Sequence, residues 1–93
     1  MSETIHKYDV RMDAEGSRGV IEAPVGAKIV SVAFQHGKLR AWAAINPDVG
    51  FNGLFDLFVV GTGHPLPNRA SQFLNRIDHN GLVFHVFLPG ASQ

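Results

Sequence analysis

Between its glycine and proline breaks this chain alternates apolar and polar residues with a period of two, the pattern that sets one face of a strand on a core and the other in water. Tyr8, Val10 and Met12 alternate with Lys7, Asp9 and Arg11, which predicts a first strand. A polar break over Asp13–Gly19 follows, then a short second strand over Val20–Ala23 and a turn at Pro24-Val25-Gly26. Lys28–Gln35 is rich in β-branched and aromatic residues and predicts a third strand with Val30, Val32 and Phe34 on one side. His36-Gly37 marks a tight turn into a fourth strand, Leu39–Ile45, and so short a connection makes the pair an antiparallel hairpin. Asn46–Gly53 reads as a loop with Phe51 stranded at its tip. Leu54–Val60 is apolar except for Asp56, as in a strand buried on most of both faces. Two glycines and two prolines make Gly61–Asn68 a loop. Gln72–His79 predicts a sixth strand, with Phe73, Asn75 and Ile77 on one face. Asn80-Gly81 is the strongest short hairpin signal in the chain, and Leu82–Leu88 completes that hairpin before Pro89-Gly90 stops it. The expectation is an all-β domain spanning residues 1–93, a small antiparallel sandwich or barrel-like sheet of about seven strands. The seventh strand is apolar on both faces apart from His85, which points to a homo-oligomer in which a second copy closes one face.

Composition narrows the function classes. Of the 93 residues 45% are hydrophobic and 17% charged, so the chain lies far from the composition of disordered proteins. Eight Lys+Arg balance eight Asp+Glu, which argues against generic nucleic-acid binding, because gripping a phosphate backbone takes a surplus of cations. The absence of cysteine removes disulfides, thiolate catalysis and Cys-ligated metal sites, and points to an intracellular protein. The polar start, Met1–Lys7, and the lack of a long apolar run predict neither a signal peptide nor a membrane span.

The candidate site is Gly61-Thr62-Gly63-His64. Glycines let successive backbone N–H groups turn inward to hold an anion, Thr62 adds a hydroxyl, and His64 adds an imidazole that can ionise near neutral pH. The segment lacks the Lys-Ser/Thr of a P-loop and the third glycine and helix of a dinucleotide fingerprint, and it reads equally as a demanding turn between strands. Arg40 and Trp42 share a strand face, and an arginine beside an indole makes a receptor for a base and its phosphate. Trp42 with Tyr8, Phe51 and Phe58 would supply a stacking surface, although core packing accounts for each of them as well. The five histidines, at 6, 36, 64, 79 and 85, are not spaced as metal ligands, so neither a metal nor another cofactor is expected. His64 and His85 could serve as acid and base of a phosphodiesterase, but no cation accompanies them, and no Ser-His-Asp order is present. His79 reads as a turn flank.

Taken in order, Lys7-Tyr8, Pro24–Val32, Gln35, Trp42-Ala43, Val60–Pro67 and Leu82–Phe87 make the chain resemble a family of small phage and prophage proteins described only as a domain of unknown function. The Gly-Thr-Gly-His-Pro segment and the Val-Phe-His-Val-Phe strand are its distinctive parts. The resemblance implies a phage origin and a place in the host cytoplasm. By analogy with small phage accessory proteins, the leading expectation is a non-enzymatic oligomer that sequesters an anionic, nucleotide-like immune signal through Gly61, Thr62, Gly63, His64, Arg40 and Trp42. The rival is a structural or protein-interaction module, a virion component or an inhibitor docking on a host protein through the last strand or the Phe51 loop. The histidine phosphodiesterase is the third reading.

Overall fold

The computed structural model describes residues 3–90, so residues 1, 2 and 91–93 of the expected domain lie outside the described residues. Eight strands form among the described residues: β1 Thr4–Asp9, β2 Arg11–Met12, β3 Arg18–Pro24, β4 Lys28–Gln35, β5 Lys38–Ile45, β6 Asn52–Gly61, β7 Ala70–His79 and β8 Leu82–Pro89. They build a three-stranded sheet in the order β1-β5-β4 and a five-stranded sheet in the order β2-β3-β6-β8-β7, every pair antiparallel. The architecture is an all-β sandwich, not a closed barrel. Among the described residues no helix is long and apolar enough to cross a membrane.

The eighth strand arises because the first one divides. Tyr8 pairs with Ala41 in the small sheet, whereas Met12 pairs with Gly19 in the large one. Val10 lies between, and its amide donates to the Leu39 carbonyl at 3.2 Å. Crossing between sheets brings Val10 against β3, and only a glycine leaves room there: a Cβ on Gly19 would lie 2.6 Å from Val10 Cγ1. Both hairpin turns are built as the sequence predicts. His36 and Gly37 have φ of 54° and 78°, and Asn80 and Gly81 have 52° and 78°, the left-handed pair that matches strand twist in a two-residue turn.

Inward-facing residues of the two sheets form the core, with Ile21, Val32, Leu57 and Val86 its largest fully buried side chains. Each contributes roughly 1.5–3 kcal/mol through burial. Two bulges alter the predicted faces. The register shifts between Ile29 and Ser31, so Ile29 packs on the core and Val30, expected beside Val32, is 47% exposed. A second shift between Phe73 and Asn75 turns Phe73 outward against Phe87, while Ile77 stays buried in the core. An inserted residue reverses the alternation beyond it, which is why a strict period of two misplaces Val30 and Phe73. Likewise β6 is buried over Leu57–Val60, but Leu54 is outside.

Asn75 faces the small sheet, where its side-chain amide acts as an extra peptide group. Its Oδ1 accepts from the Val32 amide at 3.0 Å, and its Nδ2 donates to the Val32 carbonyl at 2.9 Å. This joins β4, an edge of one sheet, to β7, an edge of the other. His79, expected only to flank a turn, stacks on Phe34 across the same seam with ring centroids 3.9 Å apart. On the outer side of the large sheet, Phe58, Val60 and Ala70 form a second buried cluster with Phe87 packed against it. Arg69 lies over Phe58, with its guanidinium carbon 5.8 Å from the ring centre. On the outer face of β8, Phe87 thus packs within its own chain, while Val83, His85 and Pro89 on the same face stay partly exposed.

Truncating Asn75 to Ala strips both partners from the backbone of Val32, a residue 1% exposed. A loss of about 2–4 kcal/mol in urea unfolding is expected, with the β-sheet circular dichroism retained. A loss below about 0.5 kcal/mol would show that the clamp contributes nothing.

Candidate functional site

The turn after β6 is held by its own backbone. The Thr62 amide donates to the Val83 carbonyl at 3.2 Å, and the His64 amide donates to the Gly61 carbonyl at 3.1 Å. Two of the amides expected to face a ligand are therefore engaged within the protein. The Thr62 hydroxyl lies 3.2 Å from both the Val83 carbonyl and His85 Nε2. Gly63, with φ of 89°, needs glycine for its conformation and is open to solvent, with nothing near the place of a Cβ.

His64 folds back over Gly61. A Cβ on Gly61 would lie 3.0 Å from His64 Cδ2 and 3.8 Å from Phe84 Cε1, so the imidazole occupies the side-chain position that glycine leaves empty. Gly61 pairs with Phe84, whose ring packs on the core, so His64 lies on the inner side of the large sheet. His85 is one residue on and faces the opposite way, toward Thr62. The two histidines proposed as acid and base thus lie on opposite faces of the β6–β8 pair.

Two open hollows border the turn. One, of about 200 Å³, lies between the Glu15–Ser17 loop and His64, Pro65 and Pro67. The other, of about 360 Å³, is lined by Gly61, Thr62 and His64 on one side and Gly81–Phe84 on the other. Among the described residues no lysine or arginine lines either hollow. The wall of the first is shaped by Asp13, whose Oδ1 accepts from the amides of Ser17 at 3.0 Å and Arg18 at 3.3 Å. Loss of solvent works to raise the Asp13 carboxyl, but the amides of Arg18, Ser17 and Gly16 and the Arg18 charge outweigh it and hold the group below the usual carboxylate range.

Arg40 and Trp42 lie elsewhere, on β5 of the small sheet. Ala41 and Ala43 enter the core, so Arg40 and Trp42 face outward. Arg40 forms an ion pair with Asp9, its neighbour across the β1–β5 ladder, and Trp42 is flanked there by Lys7 and Ser31. Neither residue lines the hollows beside Gly61–His64. The aromatic residues considered as one stacking surface are likewise dispersed. Tyr8 packs on the core, Phe58 is buried beneath Arg69, Phe51 stands at a loop tip, and Trp42 is on the small sheet. Among the described residues no three His, Asp or Glu side chains converge as metal ligands.

The least anticipated features are at the opposite end of the sandwich from the glycine turn. There Val25, Phe51 and Leu54 are 44%, 71% and 66% exposed, and the Val25 amide donates to the Phe51 carbonyl at 3.1 Å. Beside them opens a cleft of about 470 Å³ with Lys28 and Arg69 on its wall. Phe51 was legible as an apolar residue in a polar loop, but the cleft depends on where two strands stop pairing, and nothing local in the sequence marks that.

No curated protein and no solved structure matches this chain. A family model does, over residues 1–93, and the chain therefore belongs to the family described as Domain of unknown function (DUF7352).

Proposed function

We propose that this protein is a non-catalytic docking module, a phage accessory protein that binds a host or virion protein through the corner formed by Val25, Phe51 and Leu54. The observation that carries this reading is Phe51, a large apolar ring 71% exposed at the tip of a loop with anchored ends. Asn46 starts that loop by accepting the Asp48 amide at its side chain and the Val49 amide at its carbonyl. Asn52 ends it in register with Pro24 on β3. A grouped apolar patch on a stable framework is the usual mark of a contact surface, and an aromatic ring held in place loses little freedom on binding. A net charge of zero fits recognition by shape and apolar contact, without long-range steering. Phage origin and action in the host cytoplasm rest on the resemblance carried by Gly61–Pro67 and Val83–Phe87.

A photo-crosslinking phenylalanine analogue at position 51 tests this reading in infected cells. A discrete adduct to one host or virion protein is expected, lost when Leu54 is changed to Asp. Adducts only between copies of this chain, or none, would contradict it.

The two hollows beside the glycine turn favour a second reading, a homo-oligomer that sequesters a small anionic, nucleotide-like immune signal without cleaving it. A second copy laid over Gly63 and His64 would close either hollow. Calorimetry against cyclic dinucleotides and ADP-ribose derivatives is expected to give heats that Gly63→Ala and His64→Ala weaken at least tenfold. Absent heats across the panel, or unchanged affinity in both variants, would refute it.

A further inference from the structure

The large sheet does not pair completely. On one side β6 is bonded to β3 from Asn52 to Phe58, but on the other it meets β8 only from Phe58 to Gly61. Beyond Phe87, β8 continues with β7 alone, to Pro89 opposite Ala70. The two register shifts in β7, at Ala70/Gln72 and Phe73/Asn75, lie beside this point. Bulges bend a strand and increase its twist, and here the end of the β7–β8 hairpin peels away from β6. The gap between them is the cleft of about 470 Å³, within the range of small-molecule pockets.

The chemistry of its wall is specific. Ile29, Phe55 and Leu88 give it an apolar floor, and Gln72 adds an amide. Arg69 and Asp56 form an ion pair at 2.8 Å, so their charges offset each other. Lys28 remains, and among the described residues it has no ion-pair partner. The edge of β6 over Asn52–Leu57 has no strand bonded to it on this side among the described residues, and it brings backbone donors and acceptors to the same wall. One surplus positive charge, an apolar floor and free backbone groups make a receptor for one kind of molecule.

We propose that this cleft binds a small amphipathic monoanion, a single carboxylate or phosphate ester on a compact apolar body. The anionic group sits at Lys28, and the apolar body lies on Ile29, Phe55 and Leu88. The site is separate from the glycine turn, whose hollows no lysine or arginine lines among the described residues; it shares Leu54 with the docking corner, but its test turns on Lys28, which is not part of that corner.

The probes are 1-naphthoate and 1-naphthyl phosphate, with 1-naphthalenemethanol as the neutral control, titrated by amide NMR. Both anions, or one of them, should shift Ala27–Ile29, Leu54–Asp56 and Gln72 as one saturable set, the tighter anion identifying the headgroup class, while the alcohol binds at least tenfold more weakly. Lys28→Gln should weaken the anion roughly tenfold or more, the worth of a charge-assisted hydrogen bond, and Lys28→Arg should restore it to within about threefold. Lys28 is exposed at the first position of β4, so both variants should fold, which unchanged spectra away from the cleft would show. No saturable shifts at the cleft, equal binding of the alcohol, or an affinity indifferent to Lys28→Gln would overturn the proposal.

Discussion

The paired hydrogen bonds between the Asn75 side chain and the backbone of Val32 set the geometry on which the rest of the structure depends. A two-sheet sandwich has open edges, and backbone groups buried there need partners. At the β4–β7 seam the partner is a side-chain amide, which carries the same donor and acceptor as a peptide bond and can therefore join strands of different sheets. The Phe34–His79 stack continues the seam toward the two hairpin turns. The opposite side is closed covalently, where the chain passes from β1 to β2 at Val10 and Gly19 gives it room. With both sides closed, access is left at the two ends of the sandwich and on its outer faces. The glycine turn occupies one end, and the Phe51 corner and the cleft occupy the other.

Much of the fold was legible in the residues. Both two-residue turns and six of the strands lie where alternation and turn chemistry place them, because those signals are local, and the loop expected over Asn46–Gly53 ends at Phe51, where β6 begins two residues early. The errors share a cause. Tyr8, Val10 and Met12 keep one phase although Tyr8 belongs to one sheet, Met12 to the other and Val10 to the crossing between them, since all three point at the same core, so periodicity cannot show the crossing. The bulges at Ile29/Ser31 and Phe73/Asn75 shift the phase by one residue, and no glycine or proline marks them. The sequence shows no role for Asn75 because its partner, Val32, is 43 residues away.

The candidate site was legible as composition and not as geometry. The sequence contains a glycine turn, a histidine, an arginine and a tryptophan, but topology assigns the first two to the end of one sheet and the last two to the outside of the other. The turn satisfies two of its own amides, and the hollows beside it lack the cations that anion binding favours. The surplus cation, Lys28, lies instead at the cleft where the β7–β8 hairpin leaves β6. Exposure rather than motif distinguishes the Phe51 corner, and exposure is a property of the assembled fold.

Hydrogen exchange at one backbone position tests the closure of the sandwich most directly. The Val32 amide lies on an edge strand and points away from β5, so without Asn75 it would exchange like an open edge. The structure predicts that it exchanges as slowly as the Leu57 and Val86 amides of the central strands. Exchange at the rate of an unprotected strand edge would contradict the clamp and the placement of every surface that depends on it.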